Sequence, residues 1–305
     1  MILAAIDIGS NGIRLQVIRV LDDQGRISFK NLEYIRFPLR LGKDVFEKGA
    51  IRNKTIRKFE SLMKIFNDMI QLYEAEGYMA TATSAMREAA NGKEIVEKVQ
   101  RDIGLEIEII SGDLEAQLLS YAIIPYLKDQ TYVHVDVGGG STELTVYVQK
   151  DRVNSRSFNI GSVRHLNRND KSKTLHEINT WLENEIQKLK RPIIIVGTGG
   201  NIKKLYQLSN RRNNRIISLA ELMGIKAYVA EFDTQQRINH LRLNPDRADV
   251  IIPAANIYLH IAKLAKADQI LVPSVGLKDG LIYQLYSRFA KVDIRDIEFV
   301  NLFEE

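Results

Sequence analysis

A chain of 305 residues is longer than one hydrophobic core normally sustains, and with 45% hydrophobic and 27% charged residues it has the material for two. The absence of cysteine excludes disulfides, thiolate catalysis and cysteine-built zinc sites. A net charge of +5 favours anionic partners without specifying one.

The chain opens on Met1-Ile2-Leu3-Ala4-Ala5-Ile6-Asp7, an apolar run stopped by a carboxylate and lacking a basic n-region, which reads as a strand and not as a secretion signal. No apolar run approaches the ~20 residues that span a bilayer. A cytoplasmic protein is expected, with no membrane and no nucleic-acid partner. The strand enters the turn Ile8-Gly9-Ser10-Asn11 and a second strand of period two, Ile13 to Ile18. A third strand is expected over Ile27 to Tyr34, then a helix over Lys54 to Ala75 whose stripe of Ile56, Phe59, Leu62, Phe66, Met69, Ile70 and Tyr73 faces a core. The strand Tyr78 to Thr83 then enters a polar turn and a helix from Ser84 to Arg101. A strand at Ile107 to Ser111 and a closing helix complete the half.

The order then repeats. Val133-His134-Val135-Asp136-Val137 runs into Gly138-Gly139-Gly140-Ser141-Thr142 and the alternating Leu144 to Val148. A third strand is expected over Val153 to Ile160, a helix over Thr174 to Lys190, a strand and polar turn over Pro192 to Thr198, and a helix over Gly200 to Leu208. A last strand at Gln269 to Pro273 and a closing helix follow. Three strands, helix, strand, helix, strand, helix, twice over, predicts two α/β domains, 1–125 and 126–305, with duplicated mixed sheets and their ligand turns facing one cleft. The second copy carries an insert over Arg211 to Ala265, where Pro253 predicts a kinked helix.

Short glycine turns let a phosphate approach backbone N–H donors closely, a role that fits Gly9, Gly138, Gly139 and Gly140, with Ser10, Asn11, Ser141 and Thr142 adding side-chain donors. Asp7 and Asp136, at strand ends beside those turns, are placed to hold Mg²⁺, an oxygen-seeking cation. Glu143, across the hairpin from Asp136, is expected to join it; read blandly it is an exposed strand carboxylate. Arg87 follows a strand-to-helix turn where a guanidinium and helix N–H groups can clamp one phosphate. The histidines, His134, His165, His176, His240 and His260, show no metal-ligand spacing and are assigned no role. The basic pairs Lys203-Lys204 and Arg211-Arg212 suit an anionic partner; read blandly, they are solvated helix ends and loops.

These motifs carry a resemblance. Both Asp-Gly turns, with Val196-Gly197-Thr198-Gly199-Gly200-Asn201, resemble the superfamily of actin, sugar kinases and heat-shock chaperone ATPases. The resemblance implies two ribonuclease H-like (actin-like ATPase) domains with the active site in the interdomain cleft, and makes Gly197, Thr198, Gly199 and Gly200 the nucleotide-side loop. The finer match is to the exopolyphosphatase and guanosine pentaphosphate phosphatase family, through Ile6 to Leu15, Arg40-Leu41-Gly42, Thr81 to Ala89, Ile110 to Ala116, Asp136 to Glu143, Arg247-Ala248-Asp249, Val275-Gly276-Leu277 and Asp279-Gly280. It implies a catalytic Glu115, where Leu114-Glu115 replaces the family's usual acidic pair. It also implies a phosphate contact at Lys278, where the family usually has arginine.

The function so implied is an Mg²⁺-assisted phosphohydrolase that releases orthophosphate from the end of inorganic polyphosphate by attack of water. The alternatives are guanosine pentaphosphate hydrolysis and a guanosine tetraphosphate sensor without turnover. A homodimer is compatible with all of them.

Overall fold

A computed structural model of the chain describes residues 1–164, 166–189, 192–209 and 215–293. His165, Lys190 and Arg211-Arg212, which figure above, lie outside the described residues. The chain divides into two compact units, Met1–Pro125 together with the chain from Val275 on, and Tyr126–Ser274.

In the first unit the order is β1 (Ile2–Ile8), β2 (Ile13–Asp23), β3 (Arg26–Phe37), α1 (Leu41–Lys48), α2 (Asn53–Leu72), β4 (Gly77–Ala82), α3 (Ser84–Glu88), α4 (Gly92–Ile103), β5 (Glu108–Ile109) and α5 (Gly112–Ile123). In the second it is β6 (Thr131–Val137), β7 (Thr142–Val148), β8 (Asp151–Phe158), α6 (Arg168–Ile186), β9 (Ile193–Thr198), α7 (Gly200–Leu208), β10 (Ile216–Ser218), α8 (Leu219–Ala230), α9 (Thr234–Asn239), α10 (Pro245–Ala248), α11 (Ile251–Ala265) and β11 (Gln269–Leu271). The chain then returns to the first unit as α12 (Leu277–Ala290).

Both sheets are mixed. The first has the order β3-β2-β1-β4-β5, antiparallel through β1 and parallel beyond it. The second has β8-β7-β6-β9-β11 in the same sense, with β10 added antiparallel at the edge. The repetition extends to a defect: the ladder slips after Val17 between β2 and β3 and after Val146 between β7 and β8, ten residues beyond Asp7 and Asp136 respectively. A bulge in the same place twice bends both hairpins alike.

One face of the first sheet, with Ile6, Ile8, Leu15 and Val17, packs on Phe59, Met63 and Phe66 of α2 and on Val96 and Val99 of α4. α12 packs against β1 and α5, with Tyr283 meeting Phe29 edge to face at 5.4 Å. α5 and α12 touch backbone to backbone, because a Cβ on Gly280 would lie 2.0 Å from the Leu118 carbonyl oxygen. In the second unit Val133, Val135, Leu144 and Val146 pack on Ile178 and Leu182 of α6 and on Ile202, Leu222 and Ile261 of the later helices.

Three expectations differ from the fold. The sequence reading carries the second domain to residue 305, whereas α12 packs with the first sheet. The helix expected from Ser84 to Arg101 is broken: Ala89 is extended (φ −67°, ψ 126°), and the Asn91 side chain pins the break by accepting from Ile51 N at 3.0 Å and donating to Ile51 O at 2.8 Å. The kink expected at Pro253 has no cause, since Pro253 is the third residue of α11, where the first-turn N–H groups lack intrahelical partners anyway.

Candidate functional site

Each unit places a carboxylate and a glycine turn at the end of its first strand. In the first unit Gly9 N donates to Gly12 O at 3.2 Å, closing the turn. The Ser10 hydroxyl meets that of Ser84 at 2.8 Å, and Thr83 N donates to Ile8 O at 3.1 Å, so the turn after β1 and the turn after β4 are tied together. The start of α1 supports them from outside: Gly42 N donates to Ser10 O at 2.8 Å, and a Cβ on Gly42 would lie 3.0 Å from the Ser10 Cβ.

The second unit repeats the device. Gly138 N donates to Ser141 O at 3.0 Å, and the segment Gly161-Ser162-Val163-Arg164 takes the place of Gly42. Ser162 N reaches Gly138 O at 3.0 Å, Val163 N reaches Gly139 O at 2.8 Å, and Arg164 Nε reaches Gly140 O at 2.6 Å. A Cβ on Gly161 would lie 2.4 Å from Gly139 O. Three successive carbonyls are thus held on one side. In a trans peptide the following N–H points the other way, so the turn offers the amides of Gly139, Gly140 and Ser141 along one edge, the arrangement that binds anions.

The two aspartates sit in matching places with different partners. Asp7 faces Arg14 across the β1–β2 ladder, and the two form a salt bridge. Asp136 faces Glu143 across the β6–β7 ladder, and a carboxylate oxygen of each lies within 4.8 Å of the other. Glu143 is fully buried, with Ser157 Oγ donating to its Oε1 at 2.9 Å. Two carboxylates this close in a buried setting favour a shared cation, and an all-oxygen donor set suits Mg²⁺, so Asp136 and Glu143 fit the metal expectation. Asp7, expected to share that role, has a guanidinium as its counter-ion.

Behind Asp136 lies a chain of hydrogen bonds. The Thr198 hydroxyl donates to Asp136 Oδ1 at 2.5 Å, and His134 Nε2 lies 2.7 Å from the same hydroxyl. Complete burial pushes the His134 imidazole down to about 3, so it is neutral at physiological pH. The Tyr258 phenol accepts from Val137 N at 3.2 Å and donates to Thr198 O. Burial, and then the Asp136 carboxylate, push its ionisation well above the usual tyrosine range, so it remains a donor. Gly199 has φ +102°, a value that glycine tolerates, and a Cβ there would lie 3.3 Å from Asp136 Oδ1.

The remaining expected residues fall as follows. Glu115 is buried in the first turn of α5, whose N-cap Ser111 accepts from Leu114 N at 3.2 Å. Arg87 lies in the last turn of α3, with Nη1 donating to Ile110 O at 2.6 Å. Lys278 Nζ is engaged within the first unit, at 2.6 Å from Asp279 Oδ1, 3.2 Å from Gln16 Oε1 and 5.3 Å from the Tyr34 ring centre. The third glycine loop is braced by Arg247, whose Nη1 donates to Gly200 O. The sequence reading gave no role to His134, Ser162 or Arg164. The repeat itself held the signal for the last two, since a brace found after the third strand of one half is due in the other.

Strands ordered 3-2-1-4-5, with a carboxylate and a glycine turn after the first, define the ribonuclease H-like units of actin-like proteins. The chain resembles the solved Aquifex aeolicus PPX-GPPA enzyme with a TM-score of 0.73 and 26% identity, covering 92% of this chain and 98% of that one. It shares its fold with an exopolyphosphatase from Cytophaga hutchinsonii at a TM-score of 0.83 and 22% identity, covering 96% and 99%. The chain belongs to the Ppx/GppA phosphatase family, whose model matches residues 18–289. Among its relatives is a guanosine-5'-triphosphate,3'-diphosphate pyrophosphatase of Vibrio atlanticus, 24% identical over 308 residues that cover 96% of this chain. The chain spans 61% of that relative's length. Among the described residues no helix is long and apolar enough to cross a membrane.

Proposed function

We propose that the protein hydrolyses the terminal phosphoanhydride of inorganic polyphosphate and releases orthophosphate. The observation that carries this reading is the amide edge of the Gly138–Ser141 turn beside the Asp136–Glu143 pair: anion donors next to a carboxylate pair that calls for a cation. In this reading Glu115 takes the proton from a water as its oxygen attacks the terminal phosphorus. The bridging P–O bond then breaks in line, and the shortened chain leaves on its own oxygen. The amides of the two glycine turns, with Ser10 and Asn11, hold the phosphoryl oxygens, while the Thr142 hydroxyl is spent on Ile160 O at 2.7 Å, and the guanidinium donors of Arg87 not spent on Ile110 grip the terminal phosphate. Asp136 and Glu143 would hold Mg²⁺, which supplies charge neutralisation at the phosphates when bound. Asp7, neutralised by Arg14, fixes the strand end beneath its turn.

The names of the Vibrio relatives favour a second reading, removal of the terminal phosphate from guanosine pentaphosphate, at the same site. Phosphate release from long-chain polyphosphate, guanosine pentaphosphate and ATP, measured side by side with Mg²⁺, tests both. Release from polyphosphate above the other two supports the first reading, and the reverse order supports the second. Silence on all three, with guanosine tetraphosphate binding intact, overturns both in favour of a sensor.

A further inference from the structure

The duplicated halves solve one problem in two ways. Each has an aspartate at the end of its first strand, paired in register with a threonine on the parallel neighbour: Asp7 with Thr81, Asp136 with Thr198. Two residues before the aspartate stands Ala5 in the first half and His134 in the second. Where alanine stands, the buried threonine hydroxyl has no hydrogen-bond partner among the described residues, and the aspartate is held by Arg14. Where histidine stands, the threonine is engaged on both sides, by His134 and by Asp136.

The proton order follows from counting. Thr198 has one hydroxyl proton, and an ionised Asp136 only accepts, so the proton lies towards Asp136 and His134 Nε2–H donates to Thr198. Moving the ring proton to Nδ1 would bury a donor at an atom with no partner among the described residues, and would leave Nε2 competing with Asp136 for the threonine proton. The neutral Nε2–H form is the one that satisfies the whole chain.

We infer that His134 is a positioning residue, which through Thr198 engages Asp136 Oδ1 and fixes the rotamer in which Asp136 meets a cation. Such outer partners orient a carboxylate and hold it in one rotamer, as hydrogen-bonded groups around many metal ligands do. A site with a glutamate opposite its aspartate has no arginine there to do this, which is why the second half carries the histidine and the first does not need it.

The inference rests on the reading of Asp136 as a cation-holding carboxylate, and its test separates the two. Binding of Mn²⁺ alone, followed by electron paramagnetic resonance, would be measured on the parent and on Thr198→Val, Thr198→Ser, His134→Leu, His134→Gln and Asp136→Asn. Thr198→Val and His134→Leu are each expected to weaken Mn²⁺ binding by about 10-fold. Thr198→Ser, which keeps the hydroxyl, and His134→Gln, which keeps an N–H at similar reach, are expected to restore most of it. His134→Leu/Thr198→Val should bind no more weakly than Thr198→Val alone, because His134 acts only through that hydroxyl. Additive losses would overturn the relay. Parent-like binding by Thr198→Val and His134→Leu, with binding lost in Asp136→Asn, overturns the inference and leaves the reading of Asp136 standing. Parent-like binding by Asp136→Asn overturns the reading itself and the inference with it. Far-UV circular dichroism checks that each variant folds, and if His134→Leu does not, the near-isosteric Thr198→Val with its serine rescue carries the test alone.

Discussion

Gly280→Ala adds one methyl group where α12 crosses α5. The added Cβ would stand 2.0 Å from Leu118 O and 2.6 Å from Leu118 C, against the 3.4 Å at which ordinary contact begins, so the helices must part by more than an ångström. The obstacle is backbone, which has no rotamer through which to yield. Overpacking of this kind costs typically about 1–3 kcal/mol, and removing a helical glycine returns at most about 1 kcal/mol, so a net loss of about 1–2 kcal/mol is expected. The same substitution at Gly224 on α8 meets nothing within 4 Å and should instead stabilise by up to about 1 kcal/mol. Guanidinium unfolding followed by far-UV circular dichroism gives both signs. Leu118 lies one turn beyond Glu115, so Gly280→Ala should also lower turnover, by up to about 10²-fold for an ångström of misplacement. A Gly280→Ala protein as stable as the parent would refute the close-packing argument, and one that is less stable but fully active would detach α5 from catalysis.

Glu115→Gln should reduce turnover by about 10²-fold or more with substrate binding nearly intact, since a base is lost and no phosphate donor is; parallel loss of binding would give Glu115 a structural role. In metal-free buffer Glu143→Gln should raise the melting temperature by relieving repulsion with Asp136, whereas Asp7→Asn should lower stability by about 2 kcal/mol, a buried-pair loss discounted because Arg14 is a quarter exposed. Opposite signs in calorimetry are the expected result; equal signs would deny the contrast between the two ladders. Burial pushes the Asp44 carboxyl up, but hydrogen bonds from Arg52 and Thr55 outweigh it and hold the group below its ordinary 3.8. Its stabilising contribution is therefore present above pH 3.8 and lost as pH falls through the lowered value, so Asp44→Asn should flatten the acid limb of a stability–pH profile below pH 4.

The sequence showed most of the fold because the decisive signals were local: period-two hairpins, the stripe of α2, and a duplication that let each half check the other. What escaped it was tertiary. The break between α3 and α4 depends on Asn91 reaching Ile51, 40 residues away. The membership of α12 depends on Gly280 fitting against Leu118, and a glycine in a helix does not announce its neighbour. Of the site, the turns and carboxylates were legible from residue type and place. The tie through His134 was not, because histidine on a strand is ordinary until the parallel register brings Thr198 beside it.

The return of α12 to the first sheet has a consequence for synthesis. Its residues leave the ribosome some 150 positions after α5, a delay of roughly 8–30 s at the usual ~5–20 residues per second. Through that interval Phe29 and the Leu118 turn of α5 wait without their cover, while Tyr126–Ser274, an unbroken stretch of chain, has everything it needs to fold. The half that is translated first is thus completed last, and its uncovered apolar surface is where a nascent-chain chaperone would find a foothold.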